Sequence, residues 1–237
     1  MVENIQLSKR LKAIATYLDK TTLFADIGSD HAYLPCYVCT KYPNVRAIAG
    51  EVSKGPLARA KETVQAYQLA DRIDVRLGNG LEVIDQNDHI DTITIAGMGG
   101  SLIANILTEG KDKLTNVRRL ITQPNNNGYA VRSFLARNHY FITDELIIEE
   151  NDHIYEIIVS EYSADDLFTA LTEEEEKNWL FGPKLMKEKS TVFIKKWQAE
   201  HDKIDYVIKQ MKQAQVQDED KIAKWQTQQQ WIKEVLS

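Results

Sequence analysis

Residues 23–35 read LFADIGSDHAYLP and join an apolar run to a helical pattern through a short acidic loop. The run LFADIG (23–28) is typical of a buried strand, because it is short, continuous and followed by a glycine. The segment HAYLPCYVCTKY (31–42) has the spacing of a helix. A buried strand that feeds a helix in this way predicts an α/β fold with a parallel sheet.

The alternation of strand and helix continues along the chain. Further strands are predicted over 45–51, 72–77, 91–97 and 118–124, with helices over 55–68, near 100–112 and near 129–138, and a short helical turn over 80–85. Two last strands, 141–150 and 154–162, are separated by three residues, which requires an antiparallel hairpin. The expected fold class is α/β, a Rossmann-like parallel sheet that ends in an antiparallel hairpin, which is the outline of the class I methyltransferase fold. The segment 7–18 has helical spacing and is expected to lie over the sheet edge.

The character of the chain changes after residue 163, where strands end and lysine and glutamine become frequent. Two stripes have helical spacing: Phe193, Trp197, Ile204, Ile208 and Met211, then Ile222, Trp225, Gln229, Ile232 and Leu236, which are apolar except for Gln229. We expect an antiparallel, coiled-coil-like helical hairpin from about 184 to 236, with its tryptophans in the seam rather than as base-stacking platforms. The predicted domains are 1–163, which binds the cofactor, and 164–237, which is helical.

Composition restricts the kinds of protein this can be. The 237 residues are 43% hydrophobic and 27% charged, and their apolar runs are too short for a membrane span. The N-terminus has no apolar signal region, so we expect a cytoplasmic protein. Cys36 and Cys39 are the only cysteines and lack the further ligands of a zinc site. We therefore expect no metal and interpret the two cysteines as small buried residues, with a redox role as the alternative.

Charge is unevenly distributed along the chain. The net charge is −6, yet the stretch from Lys177 to Lys212 contains nine lysines and four acids. Such a stretch is either an electrostatic footprint for nucleic acid or a solvated helix face.

The candidate functional residues lie at the predicted strand ends, because ligands of open parallel sheets bind at the carboxyl ends of the strands. The five successive ends read Asp26–His31, Glu51, Gly78–Leu81, Ala96–Gly100 and Gln123–Asn127. Each end alone is ordinary turn chemistry, but all five carry glycine, acid or amide.

These strand ends favour a cofactor without phosphate. The loop GSDHAY is neither a G-x-G-x-x-G loop nor a Walker loop, and Asp30 would repel a phosphate. S-adenosylmethionine carries a sulfonium and an amino group, which Asp26 or Asp30 would attract. Glu51 could accept hydrogen bonds from ribose hydroxyls, and the backbone at Gly78–Leu81 could approach an adenine ring.

The motifs DIGSDHAYLP, ITIAGMGG and LITQPN resemble those of the bacterial tRNA (adenine-22-N1)-methyltransferase family, TrmK, as do LSKRL and FGPKLMKEK. The resemblance covers nearly the whole chain and implies methylation of N1 of adenine 22 in tRNA. It implies a cofactor site lined by Asp26, Gly28, His31, Glu51, Asn79, Gly80, Ala96, Gly97 and Met98, to which we add Arg10 and Leu81. Asn79 departs from the fold class, which usually has Asp at this position.

The chemistry of this reaction makes modest demands on the protein. Adenine N1 is a nucleophile without deprotonation, so the enzyme must place it in line with the methyl group and manage the positive charge of the product. Asp30 is the candidate catalytic residue, and the alternative is that it caps a helix beginning at His31. Tyr33 could stack on the target base or simply pack, and Pro124 and Asn125 are candidate substrate contacts.

We expect tRNA as the partner of a monomeric enzyme, held by Lys9, Arg10, Lys12 and the tail lysines. Two alternatives remain open at this point. One is a methyltransferase acting on another substrate, and the other is a non-enzymatic nucleotide-binding or assembly protein.

Overall fold

A computed structural model describes residues 5–164, 172–214 and 216–237. The strands of these residues are β1 (Leu23–Ile27), β2 (Arg46–Glu51), β3 (Ile73–Leu77), β4 (Thr92–Met98), β5 (Arg119–Pro124), β6 (Tyr140–Glu150) and β7 (His153–Tyr162). The helices are α1 (Lys9–Thr16), α2 (Tyr33–Lys41), α3 (Lys54–Ala66), α4 (Gly100–Glu109), α5 (Gly128–Arg137), α6 (Glu173–Phe181), α7 (Pro183–Glu188), α8 (Thr191–Gln213) and α9 (Glu219–Leu236).

The seven strands form one sheet in the order β3-β2-β1-β4-β5-β7-β6. The first five are parallel, and β7 pairs antiparallel with both β5 and β6. The turn between β6 and β7 consists of Asn151 and Asp152, both with positive φ, as a two-residue hairpin turn requires. The predicted Rossmann-like sheet with a terminal antiparallel hairpin is confirmed.

Helices cover both faces of the sheet. One buried cluster includes Ile14 of α1, Leu34 of α2 and Val64 of α3. The other includes Ile103 of α4 and Val131 of α5. Helix α1 contacts α2, β6 and β7, and it therefore lies at the hairpin edge of the sheet, as expected.

Cys36 and Cys39 lie buried in α2. Burial raises the pKa of the Cys36 thiol to about 12 and that of the Cys39 thiol to about 11. Both thiols are therefore protonated and poorly nucleophilic near neutral pH, which supports their interpretation as small packing residues.

A buried ion cluster fixes α5 against the hairpin. The Arg132 guanidinium donates to Glu145 of β6 at 2.7 Å and to Glu156 of β7 at 2.9 Å, and all three side chains are buried. Because α5 follows the loop at the end of β5, these ion pairs help to hold that loop in place.

The chain folds as two compact units, Met1–Leu171 and Thr172–Ser237. In the second unit, α8 and α9 pack against each other, and Phe193, Trp197, Ile204, Ile208, Ile222 and Ile232 are buried. The helices of the predicted hairpin are therefore present, whereas the coiled-coil geometry and the boundary at residue 163 stay predictions. The structure adds α6, which lies before the predicted hairpin, and it separates α7 from α8 within the first predicted helix.

Candidate cofactor and substrate site

The strand order reverses between β1 and β4, whose carboxyl ends lie side by side. This is the point at which open α/β sheets bind ligands. Gly28 follows β1 with a φ of 68°, and a Cβ atom there would overlap the Met98 Cε at the end of β4. The loop after β1 is therefore in contact with the end of β4. Glycine is favoured at position 28 mainly by its positive φ, since the Met98 methyl group can move.

Two buried acids lie at the ends of β1 and β2. Asp26 accepts hydrogen bonds from the Ser29 hydroxyl at 2.6 Å and from the Thr94 hydroxyl at 2.5 Å. Burial raises the pKa of Asp26 to about 6, against the opposing effect of these hydrogen bonds. Glu51 accepts from the backbone N–H of His31 at 3.2 Å, and burial raises the pKa of Glu51 as well. Both acids thus order the loop after β1.

This loop has an unusual backbone, because Asp30, His31 and Ala32 all have positive φ, at 46°, 70° and 59°. Helix α2 begins only at Tyr33, and its N-cap is Ala32, without a side-chain cap. The interpretation of Asp30 as the cap of a helix beginning at His31 is therefore wrong. Three consecutive left-handed residues delay the helix and leave the Asp30 side chain exposed, with its Oδ1 at 3.5 Å from the His31 Nε2.

His31 and Tyr33 form an aromatic pair next to this loop. Their ring centroids are 5.8 Å apart in an edge-to-face arrangement, and 44% of Tyr33 is exposed. The His31 Nδ1 is buried and has no hydrogen-bond partner among the described residues. A buried ring nitrogen of this kind normally has a partner, which makes the Nδ1 a candidate for contact with a ligand.

The loop after β3 shows which atoms could reach an adenine. The Asn79 side chain is exposed, whereas its backbone N–H donates to Glu82 at 3.0 Å. Gly80 has a φ of 56°, and Leu81 is buried in the core. Asn79 can therefore offer its side chain to a ligand, whereas Leu81 can contribute only backbone atoms.

A hydrogen-bonded chain connects α1 to the ends of β4 and β5. The Gln123 Oε1 accepts from the Arg10 Nη1 at 2.7 Å and from the Gly97 N–H at 3.1 Å. The Gln123 Nε2 donates to the Asn125 Oδ1 at 3.1 Å, and the Asn125 Nδ2 donates to the Gly97 carbonyl at 2.7 Å. The Arg10 guanidinium also lies 5.5 Å from the centre of the Tyr155 ring.

The structure thus brings most of the predicted site residues to the carboxyl ends of the parallel strands. Ala96 and Met98 are partly buried in β4, and Pro124 is buried at the end of β5. Four further residues support the site through hydrogen bonds or ring contacts. Ser29 and Gln123 lie within the strand ends that the sequence singles out but have no predicted role there, and Thr94 and Tyr155 lie outside those ends. Except for Ser29, these residues have partners that are distant in sequence, so no local motif could have identified them.

The residues present fit S-adenosylmethionine better than a phosphate-bearing cofactor. Asp26, Glu51 and Asp30 surround the loop after β1 with acids, which favour a cationic ligand. Among the described residues, no group of three or more His, Cys, Asp and Glu could hold a metal ion. No helix among the residues that the structure describes is long and apolar enough to cross a bilayer.

The basic stretch is less positive than its sequence suggests. Lys177 pairs with Glu173 at 2.9 Å and with Glu234 at 2.8 Å, and both acids lie outside the stretch. Lys203 and Lys209 pair with acids one turn away in α8. The positive charge that remains exposed in this stretch therefore comes from other lysines, such as Lys187, Lys189 and Lys212.

The sheet order, the antiparallel hairpin and the acids at the ends of β1 and β2 define a Rossmann-like class I methyltransferase. Comparison with known proteins narrows this class. A family model described as tRNA (adenine(22)-N(1))-methyltransferase, TrmK, matches residues 24–234. The chain belongs to the TrmK family.

Individual relatives agree with this assignment. The tRNA (adenine(22)-N(1))-methyltransferase of Bacillus subtilis is 44% identical over 214 residues, which is 90% of this chain and 89% of the relative. The crystal structure of the B. subtilis m1A22 tRNA methyltransferase TrmK matches with a TM-score of 0.90 and 42% identity, over 98% of this chain and 100% of that one. A Streptococcus pneumoniae protein solved in complex with S-adenosyl-L-methionine matches with a TM-score of 0.85 and 40% identity, over 98% and 100% of the two chains.

Proposed function

We propose that this chain transfers a methyl group from S-adenosylmethionine to N1 of adenine 22 in tRNA. The observation that carries the proposal is the family match over residues 24–234, which spans both compact units. The site agrees with it, because the loop after β1 offers acids instead of a phosphate-binding glycine loop.

The cofactor would lie across the ends of β1, β2, β3 and β4. When bound, S-adenosylmethionine supplies an electrophilic methyl group on a positively charged sulfur. Glu51 is suited to the ribose hydroxyls, and the side chain of Asn79 and the backbone of Gly80 are suited to the adenine ring. The buried His31 Nδ1 and the Arg10 guanidinium are the further polar groups that we assign to the cofactor.

The target adenine would lie between the loops after β1 and β5. Tyr33 is exposed enough to stack on the base, and we assign the exposed Asn125 and the adjacent, buried Pro124 to the same base. Asp30 carries an exposed carboxylate and no capping role, so it is free to stabilise the positive charge of the methylated base or to take a proton from its amino group.

The wider assignments are also part of this proposal. We place the enzyme in the cytoplasm as a monomer, with Lys9, Lys12 and the tail lysines contacting tRNA phosphates. Light scattering of the purified protein during size-exclusion chromatography checks the monomer, since a dimer would have twice the chain mass of 27.1 kDa.

The decisive experiment is transfer of labelled methyl groups to two tRNA transcripts that differ only at position 22, with adenine in one and guanine in the other. We expect label only in the adenine transcript and 1-methyladenosine after digestion to nucleosides. Equal labelling of both transcripts, or a different methylated nucleoside, would refute the assigned target. Binding of S-adenosylmethionine without transfer to any tRNA would favour another substrate.

A further inference from the structure

Gln123 is the only glutamine of the β5 strand and has no assigned part in the reaction. Its side chain is fully buried, yet each of its amide atoms has a polar partner: Arg10, Gly97 and Asn125. These partners belong to α1, to the end of β4 and to the loop after β5. One buried amide therefore connects three separate parts of the candidate site.

The direction of these hydrogen bonds is fixed by chemistry. The Arg10 guanidinium and the Gly97 N–H are donors only, so the Gln123 atom that faces them must be its oxygen. The Gln123 nitrogen then faces Asn125, whose nearer atom must be Oδ1. The Asn125 nitrogen is left to donate to the Gly97 carbonyl, which can only accept. The network closes on Gly97 and admits one orientation of both amides.

We propose that Gln123 is a positioning residue that sets the orientation of Asn125 toward the target base and ties it to Arg10. The proposal rests on the proposed function, because it assigns Asn125 to the substrate and Arg10 to the cofactor. Gln123 does not touch either reactant in this account. It acts through Asn125, which is exposed, and through the Gly97 peptide, which has a φ of 77° at the end of β4.

The variant Gln123→Glu tests whether the hydrogen bond that Gln123 donates to Asn125 is needed for methylation. Glutamate keeps an oxygen for Arg10 and for the Gly97 N–H, and the arginine compensates its charge. It cannot donate to the Asn125 Oδ1 and would place an acceptor against it, so only the hydrogen bond to the Gly97 carbonyl would still orient the Asn125 amide. We expect kcat/KM for tRNA to fall at least about tenfold, while the Kd for S-adenosylmethionine changes by less than about threefold. The matched control is Gln65→Glu, the same change at an exposed position of α3.

A double-mutant cycle separates positioning from a structural role. If Gln123 acts through Asn125, Gln123→Glu should have less than about a twofold further effect in an Asn125→Ala background. Additive losses, an unchanged kcat/KM for tRNA, or an equal loss of cofactor and tRNA binding would overturn the proposal. If the glutamate variant does not fold, Gln123→Met replaces it in the same cycle without a buried charge. Methionine also removes the acceptor of Arg10, so cofactor affinity is then not a criterion, and additive losses in the cycle overturn the proposal.

The wild-type protein in the same assays distinguishes failure of the proposed function from failure of the positioning role of Gln123. Wild type that binds S-adenosylmethionine but methylates no tRNA refutes the proposed function. Wild type and Gln123→Glu that methylate equally well overturn the positioning role and leave the proposed function standing.

Discussion

Asp30 is the residue on which the proposed chemistry depends most. Its carboxylate is exposed, and it belongs to a left-handed backbone that Asn tolerates better than most residues. Asp30→Asn therefore removes the charge with little effect on the loop. We expect kcat to fall at least about tenfold with an unchanged Kd for S-adenosylmethionine. Single-turnover methylation and calorimetry measure the two quantities.

The control for Asp30 is Asp71→Asn, which makes the same change at an exposed residue just before β3. This residue lies at the amino end of an edge strand, away from the carboxyl ends that form the site, so its replacement should leave both quantities unchanged. Full turnover by Asp30→Asn would show that no charge at this position is needed for the reaction.

Asp26 should make stability depend on pH. Burial raises its pKa to about 6, so the folded protein binds a proton more tightly than the unfolded chain does. The free energy of unfolding is then higher below the unfolded pKa and falls as pH rises through about 6. Asp26→Asn removes this dependence, so its stability relative to wild type should rise by about 1 kcal/mol between about pH 5 and about pH 8.

Urea unfolding of both proteins across this range measures the difference and cancels the contribution of other groups. Ser29→Ala is a useful companion, because it removes one hydrogen bond to the Asp26 carboxylate without removing the charge. A stability difference between wild type and Asp26→Asn that does not change with pH would contradict a raised pKa at this position.

At the scale of elements, the cluster around Arg132 holds α5 against β6 and β7. Arg132→Met would leave Glu145 and Glu156 buried without their cation, and we expect a loss of about 3–5 kcal/mol in the free energy of unfolding. A triple variant that combines Arg132→Met with Glu145→Gln and Glu156→Gln should recover most of this loss. Urea denaturation of both variants decides, and a triple variant no more stable than the single one would contradict the role of charge.

The sequence predicts strands better than loops in this chain. Strands β1 to β7 are found within one or two residues of their expected bounds, because short apolar runs between turn residues have few other solutions. The sequence places the start of α2 two residues early, since nothing local reveals the left-handed backbone at Asp30, His31 and Ala32. For α6, the capping box of Thr172 and Glu175 is a local signal from which the start of the helix could be predicted.

In the candidate site too, the sequence does not reveal contacts between residues that are distant in the chain. The acids and glycines at the strand ends could be identified because topology alone brings strand ends together. Gln123 stands at such a strand end, but its role could not be predicted, because its partner Arg10 is 113 residues away and its partner Gly97 is 26 residues away. A glutamine in a strand acquires a role only when such distant partners are known.

At the scale of the whole molecule, the family match spans both compact units, so the helical unit is part of what defines the family. Three of its lysines, Lys187, Lys189 and Lys212, have no ion pair among the described residues. Replacing all three by Gln should raise the KM for tRNA several-fold and make it less sensitive to salt, because each phosphate contact releases counterions. The kcat should not change, and steady-state kinetics at two salt concentrations test both points.

A chain that ends at Leu171 extends the test to the whole helical unit. The sheet, its two buried clusters and every predicted cofactor residue lie before that point, so the truncated protein should bind S-adenosylmethionine with a Kd within about threefold of the full chain. It should lose methylation of tRNA, because the tail lysines are gone. Calorimetry and transfer of labelled methyl groups test the two halves separately. Retained methylation would place the tRNA contacts in the first unit alone, on residues such as Lys9 and Lys12.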